Sequence, residues 1–189
     1  MDRYNIIKSA CLALNEGDKD KCSQIINENY PFKYIETKNR SYTKTKLVKI
    51  FSRDGFVDRY SGKRLVFPGT LMILSKELPN DFPYQKNWKM SECHIAYWHL
   101  YPTIDHIVPI ARGGSNDDDN LVCTSMVRNN SKSIFTLEEL GWTLYPKGNM
   151  NEWDGLINWF VNYIDKHNML LNDNYISEWY GAAAKNMLY

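Results

Sequence analysis

The segment Thr103–Lys132 reads T-I-D-H-I-V-P-I-A-R-G-G-S-N-D-D-D-N-L-V-C-T-S-M-V-R-N-N-S-K and decides the fold. An apolar run that carries Asp105-His106 is closed by Pro109, and a Gly-rich acidic loop follows it. The loop ends at Asn120, where a second apolar run begins. Runs of this length bounded by Pro, Gly and Asn predict strands over Pro102–Val108 and Leu121–Thr124. Ser125–Lys132 then predicts the start of a helix, so the segment forms a strand-loop-strand-helix unit.

The polar side chains of this unit have the chemistry of a metal-assisted hydrolase. Asp105 and His106 are neighbours on a strand, so their side chains point in different directions. One can bind a metal while the other faces a water molecule. Asn129 adds a neutral oxygen ligand, and a carboxylate with an amide oxygen suits Mg²⁺ or Mn²⁺. The imidazole of His106, with an ordinary pKa near 6.5, can accept a proton at neutral pH.

The spacing of these residues resembles that of the HNH endonuclease family. Asp-His is followed by Asn120 after 14 residues, by Asn129 after nine more, and by Lys132 after another three. The segment R-D-G-F-V-D-R-Y-S-G-K, from Arg53, stands where the family has R-D-G-x-x-C-x-x-C-G-K. The resemblance covers about residues 53–133. It also extends to the HNH domain of RNA-guided DNA endonucleases, whose third signature residue is likewise Asn.

The resemblance implies an α+β fold with a ββα-metal core, also called the His-Me finger. It implies that Asp105 and Asn129 bind Mg²⁺ or Mn²⁺ and that His106 is the general base. Asn120 would brace the loop backbone and hold the histidine, and Lys132 would lie near substrate phosphate. Hydrolysis of DNA to 5′-phosphate and 3′-hydroxyl ends is the expected reaction.

Many family members hold a structural zinc with two C-x-x-C pairs, but this chain has no such pair. Asp58 and Ser61 occupy the first pair of positions, and Ser125 and Arg128 occupy the second. Because Asp and Ser replace thiolates poorly, we expect no structural zinc. Aromatic packing and the flanking helical regions would replace it; the aromatic candidates are Tyr60, Trp88, Tyr97 and Trp98.

Charge and composition limit the partners. The net charge is +1, which argues against tight non-specific coating of DNA. Seven basic residues lie between Lys33 and Arg53 against the single acid Glu36, a pattern typical of a solvated face or of a phosphate contact. The other expected nucleic-acid contacts are Arg112, Arg128, Lys63 and Arg64. No 18-residue apolar run and no signal peptide are present, so we expect a cytoplasmic protein that does not span a membrane.

Helical extensions are expected on both sides of this core. Residues 1–50 would form a basic, helical N-terminal extension, residues 51–140 the HNH core, and residues 141–189 a C-terminal helical extension packing on it. Helices are expected over residues 4–15, from Asp20 to Asn29, after a capping box at Thr136 and Glu139, over Trp153–Ile164 and over about 174–188. Leu65–Phe67 is expected to be a strand, whereas the period of Lys46–Ile50 and of Leu71–Leu78 fits a helix or a strand.

Several alternatives stay open at this stage. Asn130 could bind the metal in place of Asn129, since neighbouring helix residues point about 100° apart. Asp117–Asp119 could hold a second cation, and Cys93, His94 and His99 could hold a zinc, although their spacing is not a standard one. RNA or a branched or modified duplex could be the substrate. Double-strand cleavage would need a homodimer or two binding events.

Two classes of function therefore compete. The first is an HNH endonuclease, which would suit restriction, phage defence or a mobile element. The second is a non-catalytic module that binds nucleic acid or a partner protein on the same scaffold. The joint presence of Asp105, His106 and Asn129 favours the enzyme, because binding alone requires none of them.

Overall fold

The computed structural model describes residues 2–35 and 41–187, which fall into two compact units, Met1–Glu36 and Thr37–Tyr189. The helix Lys44–Arg53 belongs to the second unit, although most of it lies within the expected N-terminal extension. Lys38 and Arg40 of the basic run lie outside the described residues.

The first unit is a helical hairpin of α1 (Arg3–Asn15) and α2 (Lys19–Asn29). Both expected helices are confirmed. Gly17 makes the turn between them with a φ of 77°, a backbone conformation that favours glycine. The N-cap of α2 is Asp18, whose carboxylate accepts a hydrogen bond from the Lys21 backbone N–H at 2.8 Å, and Asp20 lies inside the helix.

The second unit combines helices with one small sheet, and the expected α+β class is confirmed at that level. Its elements are α3 (Lys44–Arg53), α4 (Pro68–Glu77), α5 (Ala96–His99), β1 (Pro102–His106), β2 (Leu121–Ser125), α6 (Met126–Lys132), α7 (Leu137–Leu140), α8 (Ile157–Lys166) and α9 (Asn174–Met187). Short 3-10 turns lie at Met90–Glu92, Ile110–Arg112, Asp118–Asn120 and Asn168–Asn172.

The sheet is an antiparallel pair of β1 and β2, in which Asp105 pairs with Val122 and His106 with Leu121. Helix α6 packs on β1 and β2, and so does α3. Because alternate strand residues point to opposite faces, Asp105 and His106 point away from each other. All five residues of β2 are buried.

The core of the second unit lies between the β-hairpin formed by β1 and β2 and the helices α8 and α9. Phe67 packs against Phe160 of α8 and Trp179 of α9, with ring centroids 5.0 and 5.4 Å away. Helix α9 also packs on α3 and α4. The α3 side chains Val48 and Phe51 are fully buried in the same cluster, which explains why residues 46–50 adopt a helix.

One predicted element was wrong, and one predicted helix begins later than expected. Leu65–Phe67 is not a strand: a single bridge joins Val57 to Arg64, and Phe67 is the N-cap of α4. Helix α8 begins at Ile157 and not at Trp153, because Gly155 and Leu156 adopt left-handed conformations with φ of 68° and 64°. The capping box at Thr136 and Glu139 and the stop at Gly141 are confirmed. Within the part of the chain described, none of the helices is both long and apolar enough to cross a membrane.

Candidate active site

The β1–β2 hairpin and α6 bring three of the predicted residues, Asp105, His106 and Lys132, to one end of the sheet. Asp105 and His106 are the last two residues of β1, and Lys132 is the last residue of α6. The Lys132 ammonium donates to the His106 carbonyl oxygen at 2.7 Å and lies 2.9 Å from Asp105 Oδ2. This lysine therefore joins the end of the helix to the end of the strand.

Asp105 is held through one of its two oxygens. Besides Lys132, the Tyr60 hydroxyl donates to Oδ2 at 2.7 Å. Burial and the neighbouring Asp105 carboxylate raise the pKa of Tyr60 far above its usual value, so this hydroxyl keeps its proton and donates. No hydrogen bond within residues 2–35 and 41–187 falls on Asp105 Oδ1. With 12% of the side chain exposed, Oδ1 is the oxygen left for another ligand.

His106 is buried, with 5% of its surface exposed, and its Nε2 atom has two neighbours. Asn116 Oδ1 lies 2.9 Å from Nε2 and the Tyr42 hydroxyl lies 3.2 Å from it. An amide oxygen can only accept, so the contact with Asn116 requires a proton on Nε2. In the neutral tautomer that fits this contact, the lone pair is on Nδ1.

Asn120 ties together the loop that joins the strands. Its Oδ1 accepts from the Val108 N–H at 2.8 Å, and its Nδ2 donates to the carbonyl oxygens of Val108 and Ser115 at 3.0 and 2.7 Å. These are contacts of the kind expected of a residue that braces the loop. Position 114, beneath these bonds, has room for a glycine and not for a larger residue, because a Cβ there would lie 1.8 Å from the Val108 oxygen.

Asn129 and Asn130 differ in their surroundings. Asn129 is half-buried, and its Nδ2 donates to Thr103 Oγ1 at 3.0 Å and to the Ile104 carbonyl at 3.2 Å. These bonds hold the Asn129 side chain against β1 beside Asp105, whereas Asn130 is exposed. Of the two, Asn129 is therefore the better placed to share a ligand with Asp105.

The donor set fits one hard cation that keeps most of its water ligands. Asp105 Oδ1 and the amide oxygen of Asn129 have no protein hydrogen bond among the described residues, and both are oxygen donors of the type that Mg²⁺ and Mn²⁺ prefer. Across residues 2–35 and 41–187, no three side chains of the types His, Cys, Asp or Glu come together as a metal site. The ammonium of Lys132 already neutralises part of the carboxylate charge, so a cation here would share Asp105 with it.

Hydrogen bonds of the Asp58 and Ser125 side chains link three of the four positions that the resemblance to the HNH family would assign to zinc ligands. Asp58, only 1% exposed, accepts from the hydroxyls of Thr124 at 2.9 Å and Ser125 at 2.7 Å, and from the Tyr60 N–H at 2.9 Å. Ser125 Oγ also accepts from the Arg128 N–H at 3.3 Å. The polar contacts of this cluster thus come from the protein itself.

Aromatic packing covers this cluster, but only partly with the expected residues. Trp142 lies against Tyr60, with ring centroids 5.7 Å apart, and its ring also carries the Arg128 guanidinium at 4.9 Å. Trp88, Tyr97 and Trp98 pack with one another elsewhere in the unit. The contribution of Trp142 had no signal in the sequence pattern.

A second buried carboxylate, Asp54, fastens α3 to the hairpin. It is fully buried, forms a 2.8 Å ion pair with Arg53 and accepts from the Cys123 N–H at 2.8 Å. The Arg53 guanidinium continues to the carbonyl oxygens of Asp118 and Leu121, each at 2.6 Å. The Arg-Asp pair of the R-D-G segment is therefore a structural link between helix, loop and strand.

The acidic loop and the basic run meet each other. The Asp118 carboxylate pairs with Lys46 and with Lys49, the latter at 3.6 Å. The hydrogen bond from Lys46 lowers the pKa of Asp118, and the nearby charge of Lys49 acts in the same direction. Lys44 pairs with Glu178. Several of the cations expected to contact phosphate therefore have protein partners.

The five predicted nucleic-acid contacts lie in different environments. Lys132 is fully buried in its ion pair, which differs from the expected phosphate contact because an external phosphate does not reach it. Arg112 pairs with Glu139 and Arg64 lies over the Trp153 ring at 5.6 Å. Lys63 and Arg128 line one pocket beside α6.

The alternative zinc ligands do not meet in the described residues. Cys93 is buried and its sulfur accepts from the Gln85 N–H at 3.1 Å. His94 stacks on Phe82 at 4.3 Å, and His99 is exposed at the rim of the pocket beside α6.

Three residues at the site were missed by sequence reasoning as partners of the predicted pair: Tyr42, Tyr60 and Asn116. Tyr60 had been expected to contribute packing only. Its bond to Asp105 spans 45 residues of sequence and that of Tyr42 to His106 spans 64, so no local spacing could indicate them. Asn116 lies in the Gly-rich loop, where an asparagine is ordinary turn chemistry.

Comparison of the chain with protein-family models, with curated proteins and with solved structures gave no match.

Proposed function

We propose that this chain is a metal-dependent endonuclease of the HNH type, with a ββα-metal core, that hydrolyses phosphodiester bonds of DNA. One observation carries the proposal: Asp105, Asn129 and His106 lie around one end of the β1–β2 hairpin, with Asp105 Oδ1 and the amide oxygen of Asn129 left for a ligand.

In this proposal His106 is the general base. Asn116 and Tyr42 engage Nε2, so Nδ1 takes the proton of the attacking water. Burial restricts the ring to a narrow range of orientations, which aids proton transfer at a fixed position.

Asp105 and Asn129 would hold the metal. Mg²⁺ or Mn²⁺ bound there would polarise the phosphodiester and stabilise charge on the leaving oxygen. The protein fixes this ligand pair in advance. Tyr60 and Lys132 orient Asp105 through Oδ2, and the strand hydrogen bonds of Nδ2 orient Asn129.

Nicking of supercoiled plasmid in Mg²⁺ or Mn²⁺ tests the proposal. His106→Ala should lower the rate by about 10² to 10⁴, the usual contribution of a general base. His167→Ala is the matched control, because His167 is an exposed histidine that follows α8, far along the chain from the β1–β2 hairpin. Equal nicking by wild type and His106→Ala would refute the role of His106. The same pair of proteins, assayed on RNA and on branched and methylated duplexes, identifies the substrate class.

One observation favours the second candidate, a non-catalytic module. The Lys132–Asp105 ion pair satisfies the carboxylate without any metal. Calorimetric titration with Mn²⁺ separates the two candidates. The endonuclease requires a Mn²⁺ site that Asp105→Asn abolishes. A binding module would show no heat of Mn²⁺ binding and would still retain DNA in a gel.

A further inference from the structure

Beside α6 lies a pocket of about 440 Å³ whose lining is rich in hydrogen-bond donors. Its polar side chains come from three segments that the fold brings together, and they include Lys63, His99, Arg128, Ser61, Ser125 and Ser131. The hydroxyls of Ser125 and Ser131 already donate to Asp58 and to the Val127 carbonyl oxygen. Its single carboxylate, Asp58, is almost completely buried and is already covered by three neutral donors. A ligand would therefore meet the cations Lys63 and Arg128 and the imidazole of His99, beside the apolar side chains of Leu100 and Val127.

Two cations line this pocket without a carboxylate partner in the part of the chain that the structure describes. Most basic side chains of residues 41–187 pair with a carboxylate, for example Lys44 with Glu178 and Lys76 with Asp173. Lys63 and Arg128 have no ion pair among the described residues. Arg128 lies with its guanidinium over the Trp142 ring, at 4.9 Å, and a guanidinium stacked by its face keeps its N–H edges for an anion.

A buried hydroxyl in the same lining is unsatisfied. The Ser61 Oγ atom is inaccessible and has no hydrogen-bond partner in the described structure. A buried polar atom without a partner is unusual in a folded protein and calls for a ligand or a water molecule. A tetrahedral anion, with several acceptor oxygens, satisfies hydroxyl and guanidinium donors together.

The pocket is connected to the candidate active site. Trp142, which carries Arg128, packs on Tyr60, and the Tyr60 hydroxyl binds Asp105. Ser125 pairs with Pro102, three residues along β1 from Asp105, which corresponds to a separation on the order of 10 Å. A nucleic-acid strand lying on Asp105 would pass its neighbouring phosphates close to this pocket.

We propose that this pocket binds one backbone phosphate of the nucleic acid, in line with the strand at Asp105. The proposal rests on the proposed nuclease function for its ligand and adds a positioning subsite that is separate from the reacting atoms. Lys63 and Arg128 supply the charge, and the exposed His99 adds a donor that a phosphate oxygen can accept from.

The test measures DNA affinity by fluorescence anisotropy in EDTA, where cleavage is blocked, over a range of salt concentrations. Lys63→Gln/Arg128→Gln should weaken binding about ten- to a hundredfold at low salt. It should also reduce the slope of log K against log[salt] by about one, because a single phosphate contact is lost. Lys166→Gln/Lys185→Gln, which removes the same charge from exposed positions on α8 and α9, is the control. Equal changes in both double variants would overturn the proposal.

A second arm uses inorganic phosphate and thermal unfolding. Phosphate should raise the unfolding midpoint of the wild type and not that of the double variant, since a ligand stabilises only a chain that binds it. If inorganic phosphate stabilises the wild type while the salt slope for DNA stays unchanged, the pocket serves free phosphate and the backbone assignment is overturned. Arg128→Met, which also removes the charge, replaces Arg128→Gln if the latter does not fold.

The two proposals fail in different ways. If the slope of log K against log[salt] falls by about one in the double variant while the wild type never cleaves DNA, the pocket is supported and the nuclease is refuted. Cleavage that depends on His106, with an unchanged slope in the double variant, supports the nuclease and refutes the pocket.

Discussion

Two carboxylates at opposite ends of the β1–β2 hairpin, the buried Asp58 and the half-buried Asp105, are held in different ways. Asp58 receives three neutral donors spread over both of its oxygens. Asp105 receives a cation and a hydroxyl, both on Oδ2. Tyr60 contacts both, through its N–H at one end and its hydroxyl at the other. A carboxylate whose oxygens are all engaged is a structural element, whereas one that is held firmly by a single oxygen keeps the other for chemistry.

The largest expected effect on stability comes from removing the cation at the Asp105 end. Lys132→Met should lower the free energy of unfolding by about 3 kcal/mol, because it leaves the Asp105 carboxylate, whose side chain is only 12% exposed, without its countercharge. Adding Asp105→Asn should recover part of that loss. Urea denaturation measures both variants, and Lys166→Met is the exposed control, expected within about 0.5 kcal/mol of wild type. A loss no larger than that of the control would show that the ion pair is not what holds Asp105.

At the Asp58 end, the loss should be smaller and confined to stability. Asp58→Ala strands the hydroxyls of Thr124 and Ser125, for an expected cost of about 2 kcal/mol. Its single-turnover cleavage rate should remain that of wild type at a temperature where both are folded.

Metal removal tests whether a structural zinc supports the Asp58 end of the hairpin. Since protein hydrogen bonds join Asp58 to Ser125, 1,10-phenanthroline should leave the urea midpoint of the wild type unchanged. A fall in that midpoint would mean that a structural zinc supports the hairpin after all.

The loop at the Asp105 end should tolerate substitution poorly. Gly114→Ala places a Cβ 1.8 Å from the Val108 oxygen, so the loop that carries Asn116 must shift. The expected cost is about 1.5 kcal/mol, together with a lower cleavage rate from a displaced His106. Gly181→Ala in α9 is the matched control, because a Cβ there meets open space. Equal unfolding curves for the two variants would argue against a close-packed loop.

The smallest effect concerns the exposed ion pairs of the same loop. The Lys46 hydrogen bond lowers the pKa of Asp118, so this carboxylate stabilises the fold above its unfolded pKa and loses that contribution as pH falls through the lowered value. Asp118→Asn should therefore differ slightly from wild type at pH 7 and converge with it in strong acid. Thermal unfolding between pH 2 and 7 measures the convergence, and a gap that persists at pH 2 would assign the effect to something other than titration.

The hairpin and α6 could be predicted because their signals are local. Pro109, the paired glycines and Asn120 mark the ends of two strands, and Ser125 is an N-cap whose hydroxyl accepts from Arg128. The expected α8 began too early because the apolar spacing continues through Trp153. Two left-handed residues break the helix there, and the Trp153 Nε1 donates to the Leu65 carbonyl instead, at 2.8 Å.

The environment of the candidate site depended on tertiary contacts that no spacing encodes. The sequence resemblance predicted that Lys132 lies near substrate phosphate, and nothing local shows that its ammonium is buried against Asp105. The same is true of Asn116 and Tyr42, whose contacts with His106 exist only once the loop and the start of α3 have been placed. Local pattern thus gave the candidate chemical groups, while tertiary packing gave their hydrogen bonds and exposure.

The contacts of Lys132 also restrict the length of α6. This lysine is the last helical residue, and it binds the carboxylate of one strand residue and the carbonyl of the next. One residue inserted into α6 would turn the lysine by about 100° and carry it about 1.5 Å along the axis. Asn129 precedes it by less than one turn and would leave β1 in the same movement if the insertion came before it. The length of α6, seven residues, therefore determines whether Asn129 and Lys132 reach β1. Sequence change in this helix is expected to proceed by substitution and not by insertion or deletion.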